Sequence, residues 1–375
     1  MRIIITGGGT GGHIYPALAL ARHIKQVNPG AELLFVGASG GMEETLIPKA
    51  GFDLETLPVR GIPRKLNIRL LLQVFYLMGK STRQAGKILD KFKPAFVIGT
   101  GGYAAAPLAV AALRRRIKVL IHEQNVLPGR TNRLIAPFAY KVCLSFEASR
   151  RRFIRHNNLI LTGNPRASEV GGVVREKARS LLNMDPELPF LLAAGGSQGA
   201  HVLNQSMMDF LFLSSAHKKF QVLYVTGERY YEEVISRVKA LKIPQIYGGR
   251  LQIRPYQQDM PLAMAAADLM ITRAGATTIA ELTALGLPAV IVPSPNVAHN
   301  HQLINALELS RQGAAVLLEE KGINGVKLQQ AVLNLFDTPG KLTQMSENSK
   351  KLGHPGASEN IYSLLVNQES GVRIQ

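Results

Sequence analysis

The sequence predicts an α/β protein built as two doubly wound domains. Three observations carry that prediction. Short apolar runs alternate with helical patterns through the first half of the chain, the order that builds parallel β-α-β units. The opening strand, glycine turn and helix return in similar form near residue 190. The chain has 375 residues, enough for two domains of ordinary size, and its 46% apolar content can fill two cores.

In the first half the strand candidates are Arg2–Thr6, Glu32–Val36, Leu54–Leu57, Ala95–Ile98, Lys118–Ile121 and Lys141–Leu144. Helical patterns lie between them at Ala17–Gln26, Glu43–Lys49, Ile68–Leu89, Pro107–Arg114 and Thr131–Ala136. A strand end runs into the turn Gly163-Asn164-Pro165-Arg166, and the domain link is expected between Gly163 and about Pro189. The second half restarts with a strand at Phe190–Ala194, the turn Gly195-Gly196-Ser197-Gln198-Gly199-Ala200-His201, and a helix from about Leu203. Further strands are expected at Gln221–Val225, Leu251–Ile253, Leu269–Thr272, Ala289–Val292 and Ala315–Leu318, with helices from Leu342 to Val366.

The formal net charge is +18, and it is unevenly placed. Residues 1–166 hold 25 Lys+Arg against 8 Asp+Glu, whereas residues 167–375 hold 19 against 18. A basic half points to an acidic substrate, an anionic membrane surface or nucleic acid. Tryptophan is absent, and few aromatics are interleaved with the charges, which disfavours single-stranded nucleic-acid binding. The single cysteine, Cys143, excludes an intrachain disulfide and a cysteine-cluster zinc site. No signal peptide pattern follows Met1 and no apolar run reaches membrane-spanning length, so a soluble or peripheral protein in a reducing compartment is expected.

In doubly wound sheets the ligand crevice lies at the carboxyl ends of the strands. Those ends here are Gly7-Gly8-Gly9-Thr10-Gly11-Gly12-His13, Gly99-Thr100-Gly101-Gly102-Tyr103 and His122-Glu123-Gln124-Asn125. Glycine lets backbone N–H groups converge on an anionic or sugar ligand. His13, at the mouth of the first turn, is placed to act as a general base, but His201 holds the matching place in the second half. His122 and Glu123 form a second acid–base candidate, and Asn125 would either hold a sugar group or fix its loop. The dinucleotide fingerprint fits Gly7–Gly12, yet no acid ends the second strand, where Val36 leads into Gly37-Ala38-Ser39, and this counts against a dehydrogenase.

In the second half, Arg273-Ala274-Gly275-Ala276-Thr277-Thr278 leads into a helix carrying Glu281. That pattern suits phosphate at a helix start with a ribose diol on Glu281, and it equally suits a capping box from Thr278 to Glu281. There is no Asp-x-Asp pair and no P-loop lysine, so a nucleotide would be held by amides and helix N-termini without a metal. The stretch Ile68–Leu89 carries a wide apolar arc rimmed by Arg64, Lys65, Arg69, Lys80 and Arg83, the pattern of an interfacial helix or of a broadly buried core helix.

The ordered set Gly8–His13, Gly101-Gly102-Tyr103, His122–Asn125, Gly163–Arg166, Gly195–Gly199 and Gly275-Ala276-x-Thr278-x-x-Glu281 resembles the MurG family, the N-acetylglucosaminyltransferases that make lipid II for peptidoglycan. The resemblance runs from residue 2 to beyond residue 300. It implies a GT-B fold, in which two Rossmann-like domains flank a cleft. It places an acceptor- and membrane-binding domain at 1–165 and a donor-binding domain at 166–375, with the C-terminal helix able to return to the first. It implies inverting transfer from UDP-N-acetylglucosamine to lipid I at the cytoplasmic face of the bacterial inner membrane, by a peripheral enzyme that needs no cofactor or metal and binds no nucleic acid. Anionic lipid and cell-wall and division proteins would be its partners.

Carried over by position, Thr10, Gly11, Gly12 and Asn125 would contact the transferred sugar. Arg166 and Ser197 would hold the diphosphate, and Ala276, Thr277, Thr278, Ile279, Ala280 and Glu281 the diphosphate and ribose. Gln302 would meet sugar hydroxyls and the Gln257 backbone the uracil, with His13 as base. Tyr103, His122 and Glu123 would serve the acceptor, and Leu71, Phe75 and Met78 would enter the membrane interface. Two positions depart from the family pattern: Gln257 stands where isoleucine is usual and Thr277 where leucine is frequent; His301 stands where glutamine or histidine is expected. A related glycolipid synthase and a UDP-N-acetylglucosamine 2-epimerase share the implied fold and are the alternatives.

Overall fold

The computed structural model describes residues 1–59, 68–154, 157–196, 199–215, 220–297 and 300–366, with the backbone alone for residues 68–72 and 75. Two compact units result, one of Met1–Ser168 together with the chain from Gly356 onward, the other of Glu169–Pro355.

The first unit runs β1 (Arg2–Gly7), α1 (Gly11–Val27), β2 (Glu32–Ala38), α2 (Glu43–Lys49), β3 (Asp53–Leu57), α3 (Ile68–Phe92), β4 (Phe96–Gly101), α4 (Ala105–Arg114), β5 (Lys118–Glu123), α5 (Arg130–Ile135), β6 (Lys141–Leu144) and β7 (Leu159–Leu161). Its seven strands lie in the order β3-β2-β1-β4-β5-β6-β7, and every pairing is parallel. Strands such as Ile3-Ile4-Ile5 and Val119-Leu120-Ile121 are apolar on successive residues because helices cover both faces of the sheet. Ala85, Leu89, Leu108 and Ile135 pack on one face. Ile14, Leu18, Ile24 and Ile47 pack on the other.

The predicted start of α1 at Ala17 is too late: the helix begins at Gly11 and carries Pro16 inside it. Pro16, the sixth helical residue, gives up the bond its N–H would make to the Gly12 carbonyl, and the helix runs on through it.

The second unit begins with α6 (Arg175–Leu181) and continues β8 (Phe190–Ala194), α7 (His201–Ser214), β9 (Gln221–Val225), α8 (Tyr231–Ala240), α9 (Ile243–Tyr247), β10 (Leu251–Arg254), α10 (Met260–Ala266), β11 (Leu269–Thr272), α11 (Ala276–Leu285), β12 (Ala289–Ile291), α12 (His301–Arg311), β13 (Ala315–Leu317), α13 (Gly325–Asp337) and α14 (Lys341–Lys351). Its six parallel strands lie in the order β10-β9-β8-β11-β12-β13.

The last helix, α15 (Ala357–Val366), belongs to the first unit. Ile361, Leu364 and Leu365 are buried against the same core face as α1. Burial of each is worth about 1.5–3 kcal/mol, enough to hold a ten-residue helix in place. The turn at Pro165–Glu169 is fastened to it: the Ser358 N–H donates to Ser168 Oγ at 3.0 Å, and Ser358 Oγ donates to the Pro165 carbonyl at 3.4 Å. Arg166, expected to open the second domain, therefore lies in the first unit.

Candidate active site

Strand order reverses between β1 and β4 in the first sheet, and between β8 and β11 in the second. Each reversal opens a crevice at the strands' carboxyl ends, where the helices that follow leave on opposite faces. Motif turns follow β1, β4, β8 and β11 beside these reversals, and two more, His122–Asn125 and Gly163–Arg166, lie at the carboxyl ends of β5 and β7.

In the first unit the turns are interlocked through backbone. His13 Nδ1 lies 2.8 Å from the Thr100 carbonyl. A carbonyl only accepts, so Nδ1 carries the proton and Nε2 the lone pair of the neutral ring, the tautomer a general base needs. Thr100 Oγ1 donates to the His13 carbonyl at 2.8 Å. The Gln124 amide from the third turn donates to the same Thr100 carbonyl. Gly101, at φ 109°, allows this packing, because a Cβ there would lie 2.6 Å from the His13 ring. Gly102 is equally constrained, since a Cβ would come 2.4 Å from the Gly8 carbonyl oxygen.

His122 is wholly buried at the end of β5. Its Nε2 lies 3.0 Å from the Gly163 carbonyl and its Nδ1 accepts from the Gln124 amide at 3.2 Å. One donor and one acceptor make a neutral imidazole. Burial, with a smaller contribution from the charge of His13, pushes its pKa down to about 4, against the opposing pull of the Gly163 bond. His122 is thus bonded on both nitrogens within the unit, which is a structural arrangement.

Glu123 is also buried. It accepts from the Asn125 N–H at 3.0 Å, the Gly129 N–H at 3.0 Å and Asn132 Nδ2 at 2.8 Å. Its carboxylate shapes the loop that presents Asn125. Tyr103 is about half exposed beside Gly9. The Arg166 guanidinium stacks 5.7 Å from the centre of the Tyr15 ring, on the helix that follows the first turn.

A residue that the sequence reading passed over organises the first turn. Glu43, the first residue of α2, is fully buried and accepts the Gly9 N–H at 3.1 Å and the Ala38 N–H at 2.8 Å. The Gly9 amide, expected to face a ligand, is held by this internal carboxylate. The only signal in the sequence is an acid that follows Gly40-Gly41-Met42 after the second strand.

In the second unit Gly275 is the N-cap of α11, so Thr278 is the third helical residue and not the cap. The capping-box reading of Thr278 and Glu281 fails for that reason. Ile279 points into the core at 1% exposure and Glu281 is 6% exposed, whereas Ala276, Thr277, Thr278 and Ala280 are partly exposed. Gln302 Oε1 accepts the Ser294 N–H at 2.8 Å, fixing the turn after β12. The Gln257 side chain turns inward, accepting from Arg254 at 2.6 Å and donating to the Asp259 carbonyl at 3.1 Å. That side chain is thus tied to the end of β10 and to the start of α10. His201 opens α7 and is exposed, its ring 5.8 Å from that of Tyr230. Ser197 lies outside the described residues.

At the opposite end of this sheet a depression of about 430 Å3 is lined by Arg175, Arg179 and Asp268. There Asp268 pairs with both arginines and accepts the Phe190 N–H at 2.7 Å, a lock on the amino ends of β8 and β11. Among the described residues no group of three His, Cys, Asp or Glu is arranged to hold a metal, and no helix is long and apolar enough to cross a membrane. The side chains of Leu71 and Phe75 lie outside the described residues; Met78 is partly buried on α3, beside exposed Tyr76 and Lys80.

Comparison with known proteins agrees with both units. The glycosyltransferase family 28 N-terminal domain matches residues 3–144 and the family's C-terminal domain matches residues 190–361. The chain is 43% identical, over 97% of its length and 99% of the relative's, to the UDP-N-acetylglucosamine–N-acetylmuramyl-(pentapeptide) pyrophosphoryl-undecaprenol N-acetylglucosamine transferase of Caldanaerobacter subterraneus subsp. tengcongensis. The crystal structure of Acinetobacter baumannii MurG superposes with a TM-score of 0.76 at 27% identity, covering 98% of this chain and 99% of that one. A Listeria monocytogenes putative UDP-N-acetylglucosamine 2-epimerase shares the fold alone, at a TM-score of 0.71 and 12% identity. Matched in both of its halves and along nearly its whole length, the chain belongs to glycosyltransferase family 28.

Proposed function

We propose that this chain moves N-acetylglucosamine from UDP-N-acetylglucosamine to the 4-hydroxyl of the N-acetylmuramyl group of lipid I, giving lipid II and UDP. The observation that supports this reading best is the near-full-length identity to a transferase named for that donor and acceptor. In the reaction the acceptor oxygen forms a bond to the anomeric carbon as the bond from that carbon to the diphosphate breaks, with inversion. The bonding electrons leave on UDP and the hydroxyl proton goes to His13 Nε2. The Thr100 carbonyl, bonded to Nδ1–H, orients the ring and stabilises the imidazolium as it forms.

Thr10, Gly11, Gly12 and Asn125 would surround the transferred sugar. Arg166 and Ser197 would meet the diphosphate, and the run Ala276–Glu281 the diphosphate and ribose. The N-terminus of α11 would stabilise the departing charge without a metal. Gln302 would contact sugar hydroxyls, the Gln257 backbone the uracil, and Tyr103 the acceptor. The basic first half and the α3 stretch Leu71–Met78 would hold the protein to anionic lipid on the cytoplasmic face of the inner membrane, where cell-wall and division proteins would meet it.

A transfer assay tests this with labelled UDP-N-acetylglucosamine, a lipid I analogue and EDTA. Disaccharide-lipid product at the rate seen without EDTA is the expected result. Turnover of the donor with diacylglycerol instead, or to a free epimer, would overturn the acceptor assignment, and loss of product in EDTA would overturn metal independence.

A further inference from the structure

We propose that Glu43 is a positioning residue for the transfer: its buried carboxylate takes the place of a ligand anion inside the first glycine turn and thereby sets His13. The inference rests on the transferase reading above. A strand–glycine-turn–helix unit ordinarily offers its turn amides to a bound anion. Here one such amide, that of Gly9, donates to Glu43 Oε2, while Oε1 accepts from Ala38 at the end of β2. Both oxygens accept from backbone, the pattern of an ionised carboxylate that serves as a built-in anion.

Three further glycines are cut to fit this group. A Cβ on Gly8 would lie 2.1 Å from Oε1, one on Gly41 2.3 Å from Oε2, and one on Gly37 2.6 Å from Cγ. Glycines from the turn after β1, from β2 itself and from the turn after β2 therefore close around the carboxylate. The site is a designed socket for one side chain.

The mechanical path from Glu43 to the base is short. Glu43 holds Gly9 at φ 80°, the next residue is Thr10, and the Thr10 carbonyl accepts the His13 N–H at 3.1 Å and the Ile14 N–H at 3.2 Å to start α1. The start of that helix sets the height of the His13 ring against the Thr100 carbonyl. A turn with an internal negative charge also disfavours a phosphate beneath it, which leaves a neutral sugar as the part of the substrate suited to this turn.

The test is a set of Glu43→Gln, Glu43→Asp and Glu43→Ala variants, assayed for transfer at a temperature where circular dichroism shows each folded. Glutamine keeps the length and one acceptor oxygen; aspartate is one methylene too short to reach both amides. The expected result is a kcat lowered at least about tenfold in the Ala and Asp variants, less in Gln, with KM for UDP-N-acetylglucosamine within about threefold of the parent. Hydrogen exchange of the peptide spanning residues 7–13 is expected to quicken in the same order. A folded variant with parental kcat, or one in which KM for the donor rises while kcat holds, overturns the proposal. Failure of all three variants to fold makes Glu43 a stability residue and overturns it as well. An inactive parent enzyme would instead count against the transferase reading, whereas an active parent with unaffected variants counts against Glu43 alone.

Discussion

Lowering the pH should loosen the first unit through one residue, His122. Its two ring nitrogens are committed to one donor and one acceptor role, so the folded state holds it neutral. Burial pushes its pKa down to about 4 in the fold, from the ordinary histidine value of 6.5. The sign follows from linkage. Above pH 6.5 neither state binds the proton and the full stability is present; as the pH falls toward 4 the unfolded chain takes up a proton that the folded one refuses, and stability is lost. The loss attributable to this group is about 2–3 kcal/mol between pH 7 and 4.5. Because the chain forms two units, the assay must see the first one alone. Hydrogen exchange of the β5 peptide 118–123, compared between the parent and His122→Asn over pH 7 to 4.5, does this, since other titrating groups cancel in the difference. The parent's advantage over the variant should shrink by about 2–3 kcal/mol across that range. A difference independent of pH, or an NMR titration of the His122 Cε1–H centred near 6.5, would refute the argument.

Gly101→Ala adds a methyl 2.6 Å from the His13 ring at a residue with φ 109°, so kcat should fall about a hundredfold through misplacement of the base, read by steady-state kinetics on protein of normal circular dichroism. Glu123→Ala strands three donors around a buried carboxylate site and should cost about 3 kcal/mol, with the partly exposed donors regaining water; this would lower the first unit's melting temperature by about 6–12 °C in calorimetry. The combined variant Leu71→Ser, Phe75→Ser, Met78→Ser should bind phosphatidylglycerol vesicles at least about tenfold less tightly in sedimentation, while transfer to a soluble lipid I analogue persists.

Much of this site is written in residue type and little of it in partnership. The parallel strands are legible because burial on two faces demands runs such as Ile3-Ile4-Ile5, and the glycine turns mark their carboxyl ends. The same logic could have placed His122 correctly: it continues the run Val119-Leu120-Ile121 within a doubly covered strand, where an ionisable ring must be neutral and bonded. Glu43 was beyond reach, since both its partners are backbone amides, and one of them is 34 residues away. An acid was sought at the end of β2; it arrives instead from the start of α2, and no side-chain pattern records which amide a carboxylate will meet. The C-terminal helix was legible as a helix, but its place on α1 depends on the apolar face made by Ile361, Leu364 and Leu365 finding a sheet from the other end of the chain.

The two glycine turns show most clearly where motif reading stops. Gly8–His13 and Gly195–His201 share a strand, a glycine pair, a hydroxyl residue, a glycine and a histidine, and the motif alone does not say which histidine is the base. The helices that follow begin in different phase. His13 is the third residue of α1, whereas His201 is the first residue of α7. Two residues turn a helix by roughly 200°, which sends the two rings to nearly opposite sides of their helices. One ring swings back over the β4 turn and is fixed by the Thr100 carbonyl; the other points outward beside Tyr230. The two helix starts follow turns that are held differently. In the first unit the Gly9 amide is held on Glu43, so on the reading proposed above a residue with no place in the motif sets the histidine that would act as base.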